Sequence, residues 1–138
     1  MSSLSPAPAA SLALLALLLA TESDAGEAAV VSVQVECRGR TCDFDVTVRH
    51  DDTGWSHYAN RWEVLDESGE VIATRVLRHP HVNEQPFTRS LRGVEIPTSV
   101  ERVRVRANDS HHGLGGAVFD VEIPRPRGED ADAPDSEQ

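Results

Sequence analysis

The sequence predicts an all-β protein, an antiparallel sandwich of about seven strands, and three observations carry that prediction. Between residues 29 and 124 apolar and polar residues alternate in short runs, turn-forming residues interrupt the runs every eight to fifteen positions, and no stretch keeps a helical period beyond two turns. A period of two places successive side chains on opposite faces of a sheet, so each run can bury one face and solvate the other.

The first run alternates Val31, Val33 and Val35 with Ser32, Gln34 and Glu36, and the second alternates Phe44, Val46 and Val48 with Asp45 and Thr47. The intervening Arg38-Gly39-Arg40-Thr41 turn makes the two a hairpin. Further strands are expected at 58–66, 71–77, 86–91, 101–107 and 117–123. Trp62 and Val64 in the third run are expected in the core. In the sixth, Val103, Val105 and Ala107 face one way and Arg102, Arg104 and Arg106 the other, with Asp120 and Glu122 of the last run placed to pair with the arginines. Seven short antiparallel strands in about a hundred residues fit an immunoglobulin-like sandwich.

The flanks read differently. Residues 11–20, SLALLALLLA, form a ten-residue apolar run, about half the length of a bilayer span, and Ser23-Asp24-Ala25 offers small residues for cleavage before Gly26. Residues 1–25 are therefore expected to be a signal peptide, 26–127 the sandwich, and the protein exported, periplasmic or extracellular, with no stable membrane span after signal removal. Residues 128–138, GEDADAPDSEQ, hold five acids and no base and are expected to be a disordered acidic tail. Overall 23 acids face 13 Arg and no Lys, a net charge of −10, which argues against a nucleic-acid partner. The domain alone, with 16 acids and 13 Arg, carries −3.

Cys37 and Cys42 bracket the first turn, within disulfide reach on facing strands of a hairpin, and an exported chain favours the bridge. A thiolate metal site would need two more ligands at matching spacing, and the nearest histidine, His50, is a strand length away. No serine elbow or phosphate loop is present, and Asp51-Asp52 reads as a turn opening, so no catalytic residue is assigned. All six histidines, His50, His57, His79, His81, His111 and His112, fall at strand ends or in loops. Neutral imidazole is a borderline ligand suited to copper, iron or zinc. Connections at one end of a sandwich alternate with those at the other, which lets His50, His57 and the His111-His112 turn share a rim and leaves the place of His79 and His81 open. Glu84, Gln85 and Arg89 are candidates to orient imidazoles, or form a plain edge-strand entry, and the glycines of 112–116 fit a wide turn.

At these residues a resemblance emerges. His50 followed by His57-Tyr58 and Trp62 resembles the iron domain of superoxide reductase (desulfoferrodoxin), where His-Pro-Met precedes His-Tyr and a nearby Trp on an immunoglobulin-like sandwich. Asp109-Ser110-His111-His112-Gly113 resembles that family's Cys-Asn-x-His-Gly turn. Over about 29–123 the resemblance implies His50, His57 and His112 as three of the four histidine ligands, with Asp109 where the axial Cys stands. Asp51 replaces a Pro, and the upstream fourth His has no counterpart. A similar His-Pro to His-Tyr opening occurs in the sulfur-carrier scaffold subunit of the periplasmic thiosulfate-oxidation system, a non-enzymatic partner protein. The expectation is an exported binding protein with a histidine-rich metal site drawn from His50, His57, His79, His81, Asp109 and His112, holding copper or iron before zinc. Its rivals are a protein-interaction module resembling the sulfur-carrier scaffold and a redox enzyme resembling superoxide reductase.

Overall fold

The computed structural model describes residues 26–125, so the expected signal peptide and acidic tail lie outside the described residues. Seven strands follow one another: β1 (Ala29–Arg38), β2 (Thr41–Arg49), β3 (Ala59–Leu65), β4 (Val71–Val76), β5 (Phe87–Glu95), β6 (Arg102–Asp109) and β7 (Phe119–Glu122). They form two antiparallel sheets, β1-β2-β5 and β4-β3-β6-β7. The fold is the expected sandwich, with β4 beside β3 in the second sheet. Among the described residues no helix is long and apolar enough to cross a membrane.

The β1–β2 hairpin closes through Gly39-Arg40, with Arg38 opposite Thr41 and Gly39 at φ 60°, a left-handed conformation that favours glycine. One step inward Cys37 faces Cys42, and the two are joined by a disulfide. One strand face differs from expectation. A bulge between Val30 and Ser32 shifts the alternation by a residue, which buries Val30 and leaves Val31 41% exposed.

Phe44, Val46 and Val48 from one sheet meet Trp62, Val64, Val103 and Val105 from the other, all within 1% of full burial. Each such side chain contributes roughly 1.5–3 kcal/mol relative to exposure. The arginines of β6 point outward and pair across strands: Arg102 with Glu122 at 3.0 Å, Arg104 with Asp120 at 2.8 Å, and Arg106 with Glu63 of β3 at 2.8 Å.

Antiparallel pairing sends one set of connections to a single end of the sandwich: the β2–β3 loop, the β4–β5 loop, the β6–β7 loop and the segment entering β1. All six histidines lie on that rim, which settles the position of His79 and His81. β6 extends two residues past its expected end and so carries Asn108 and Asp109 into the rim as part of a strand.

Candidate metal centre

Each element delivers one group to the rim. His50 directly follows the last residue of β2, and Asp109 is the last residue of β6. His57 stands at the base of a small turn closed by Thr53 N–H to the His57 carbonyl (3.0 Å) and His57 N–H to the Gly54 carbonyl (3.2 Å). Tyr58 and Ser110 fasten that turn to β6 through the Ser110 N–H to the Tyr58 carbonyl (2.9 Å) and the Tyr58 N–H to Ser110 Oγ (3.1 Å). Asp109 shapes its own loop, because its Oδ1 accepts the backbone N–H groups of His111 (2.7 Å) and His112 (2.6 Å) and thereby fixes where His112 begins.

His57 Nε2 lies 3.3 Å from Asp109 Oδ1 and 3.2 Å from His112 Nδ1, and His112 Nδ1 lies 3.3 Å from the same Oδ1. Three donors at the corners of a nearly equilateral triangle of that size can all be reached by one ion at about 2.0–2.2 Å, the usual bond length to imidazole nitrogen and carboxylate oxygen. His50 approaches from the buried side, with Nε2 3.9 Å from Asp109 Oδ2. His50, His57 and Asp109 each offer a ligand atom within 4.8 Å of the others. The Gly26 carbonyl oxygen sits over the group, 3.1 Å from His50 Nε2 and 3.2 Å from His57 Nε2.

Asp109 is 1% exposed. Burial pushes its pKa up, but the N–H groups of His112 and His111 and the imidazoles of His112 and His50 hold it below the usual carboxylate range, so it is ionised. Its Oδ2 has no hydrogen-bond partner. The ring of His50, 2% exposed, is oriented by Asp52, whose Oδ1 lies 2.5 Å from Nδ1. Asp52 is itself fixed by the N–H groups of Ala59 (2.9 Å) and His81 (2.6 Å). His50 Nε2 faces the Gly26 carbonyl, a group that can only accept a hydrogen bond, and lies 3.9 Å from the unpartnered Asp109 oxygen.

His79 and His81 do not join this group. His81, 4% exposed, stacks on Phe87 at 3.9 Å, presents Nε2 to Arg89 at 2.9 Å, and lies beyond Asp52, its Nδ1 3.9 Å from Asp52 Oδ2. Burial, then Arg89 and His79, lower its pKa against the opposing pull of Asp52 and Glu84. His79 is exposed, with Nδ1 3.0 Å from the Pro80 carbonyl. The orienting role foreseen for the 83–89 segment falls to two of its residues: Gln85 accepts the His50 N–H and donates to the His81 carbonyl, both at 3.0 Å, and Arg89 faces His81. Sequence reasoning missed Asp52, read as a turn residue, although a carboxylate two positions after a strand-end histidine is a local signal for such support. Gly26 carried no signal.

No described protein family matches the chain by its sequence profile. The chain is 40% identical over 103 residues to a predicted lipoprotein of Halomicrobium mukohataei, an alignment covering 74% of this chain. It spans about half the length of that curated relative, 50%. A hypothetical protein of Pyrococcus horikoshii OT3 superposes with a TM-score of 0.46 at 14% identity, over 72% of this chain and 90% of that one.

Proposed function

We propose that this chain is an exported β-sandwich domain that binds one transition-metal ion, copper or iron first and zinc next, through His50, His57, His112 and Asp109. The observation that carries the proposal is the buried, ionised Asp109 carboxylate, with one oxygen unpartnered among imidazole nitrogens. Nitrogen and carboxylate donors without a thiolate suit copper, iron and zinc, and a pair of histidines with one carboxylate is a common iron(II) set. Copper or iron would supply one-electron redox chemistry there, whereas zinc would supply a Lewis acid. Asp109 contributes the negative charge, Asp52 holds the His50 ring with Nε2 turned toward the site, and the Tyr58–Ser110 contacts keep the two sides of the site together. The Cys37–Cys42 disulfide and the lipoprotein description of the relative support export. The resemblance to superoxide reductase points to His50, His57 and His112 as ligands, but Asp109 stands where that family's axial thiolate would tune iron, so metal binding is proposed rather than superoxide chemistry.

A second reading, an interaction module resembling the sulfur-carrier scaffold, is favoured by Trp55. That side chain is 69% exposed on the loop between His50 and His57, and Val82 and Leu114 stand exposed on the same rim. Calorimetric titration of the metal-free protein, His57→Ala and His111→Ala with copper(II) at about pH 7.5 and about pH 5.5 separates the readings, since free imidazole protonates near 6.5. The proposal expects one saturable site, weakened at the lower pH, at least about 100-fold weaker in His57→Ala and little changed in His111→Ala. No saturable binding, or equal affinity in wild type and His57→Ala, would leave the interaction module.

A further inference from the structure

The segment entering β1 passes through the rim instead of around it. Gly26 is so close to the imidazoles that a Cβ there would lie 2.2 Å from His112 Cε1 and 2.6 Å from its Nε2. The next residues are clamped by the β6–β7 loop. A Cβ at Gly115 would meet the Glu27 carboxyl at 2.1 Å, one at Gly116 would meet the Ala28 carbonyl at 1.9 Å, and the Val30 N–H donates to the Ala117 carbonyl at 2.9 Å. Ala28 is fully buried. These close approaches give Gly115 and Gly116 a purpose that a wide turn alone would not require.

Resting on the metal-site reading, we infer that the Gly26 carbonyl oxygen is a further ligand of the ion, and that metal binding clasps the segment 26–28 across the site. The oxygen is 3.1 Å from His50 Nε2 and 3.2 Å from His57 Nε2, the nitrogens through which these residues would hold the ion, so an ion about 2.0–2.2 Å from both comes within reach of the carbonyl as well. A backbone carbonyl is a hard oxygen donor, so the clasp favours iron(II), zinc or copper(II) over copper(I), which prefers sulfur. Occupancy of the site thereby regulates the segment: loaded, its carbonyl is fastened to the ion, and metal-free, it is held by its weaker contacts to His50, His57 and the β6–β7 loop.

The test is amide hydrogen exchange of the full chain with and without one equivalent of copper(II), read at Glu27 and Ala28, alongside calorimetry of Gly26→Ala. The Glu27 N–H belongs to the same peptide unit as the Gly26 carbonyl. The inference expects exchange at Glu27 and Ala28 to slow at least about tenfold on loading, and Gly26→Ala to bind at least about tenfold more weakly. The metal-free exchange pattern of β2, β3 and β6 in that variant should match wild type, which shows that the fold is kept. Saturable binding in wild type with unchanged exchange at Glu27 and Ala28, or wild-type affinity in Gly26→Ala, overturns the clasp and leaves the metal site standing. Absence of saturable binding in wild type overturns both.

Discussion

Replacing Asp109 by Asn removes one charge at the centre of the site while preserving the shape of the side chain. The amide oxygen can still accept the N–H groups of His111 and His112, now as neutral bonds. Going from a charged to a neutral acceptor costs about 1 kcal/mol for each. Against that, the buried carboxylate oxygen that has no partner becomes part of a neutral amide, and relieving that unsatisfied charge recovers about 1–3 kcal/mol. The two effects nearly cancel, so the metal-free variant should be within about 2 kcal/mol of wild type. With metal the proteins separate. At a free ion concentration of about 100 Kd wild type gains roughly 2.7 kcal/mol, and for a domain of this size that raises Tm by roughly 10–20 °C. The variant, lacking its charged ligand, should show almost none of that rise. Thermal melts followed by circular dichroism, with and without copper(II), read both quantities. An equal metal-induced shift in the two proteins would refute the ligand role. A metal-free loss of about 3–5 kcal/mol would instead mark Asp109 as half of a structural ion pair with His50.

Asp52→Asn should weaken metal binding about 10–100-fold, because an amide cannot both accept from His50 Nδ1 and accept the His81 N–H, and calorimetry measures the loss. Acidification of the metal-free protein should lower stability in two windows. His81 has a folded pKa below its unfolded 6.5, so the unfolded chain binds more protons and stability falls as pH drops from about 6.5 toward the folded value. Asp109, whose folded pKa lies below 3.8, contributes stability that is present above 3.8 and lost as pH falls through the folded value. Urea midpoints against pH show both, and His81→Phe should abolish the first. Reducing the Cys37–Cys42 bridge should cost about 2 kcal/mol, seen as a lower Tm, and the unreduced unfolded chain should titrate with no free thiol.

Strand alternation was legible because each sheet has one buried face, and the buried Val103, Val105 and Ala107 against the outward arginines follow the sequence directly. Val31 escaped that logic because a bulge inserts one residue, and nothing local in a run of valines marks where the register slips. At the site, His50, His57 and His112 could be singled out by residue type and position, and Asp109 by the resemblance of its turn to the superoxide reductase family's. Their separation from His79 and His81 could not, since it depends on Asp52 standing between the two sets and on Arg89 occupying the His81 nitrogen. Gly26 was invisible because its contribution is a backbone carbonyl, delivered by the packing of 26–28 against the β6–β7 loop.

Elemental analysis of the mature protein, purified from its native compartment without added metal and without chelators, tests the central claim most directly. One copper or iron ion per chain, lost on substitution of His57 and Asp109 together, is the predicted result. A protein that emerges properly folded and disulfide-bonded yet carries no transition metal, and takes up none when it is offered, would contradict a metal-binding role for the histidine rim.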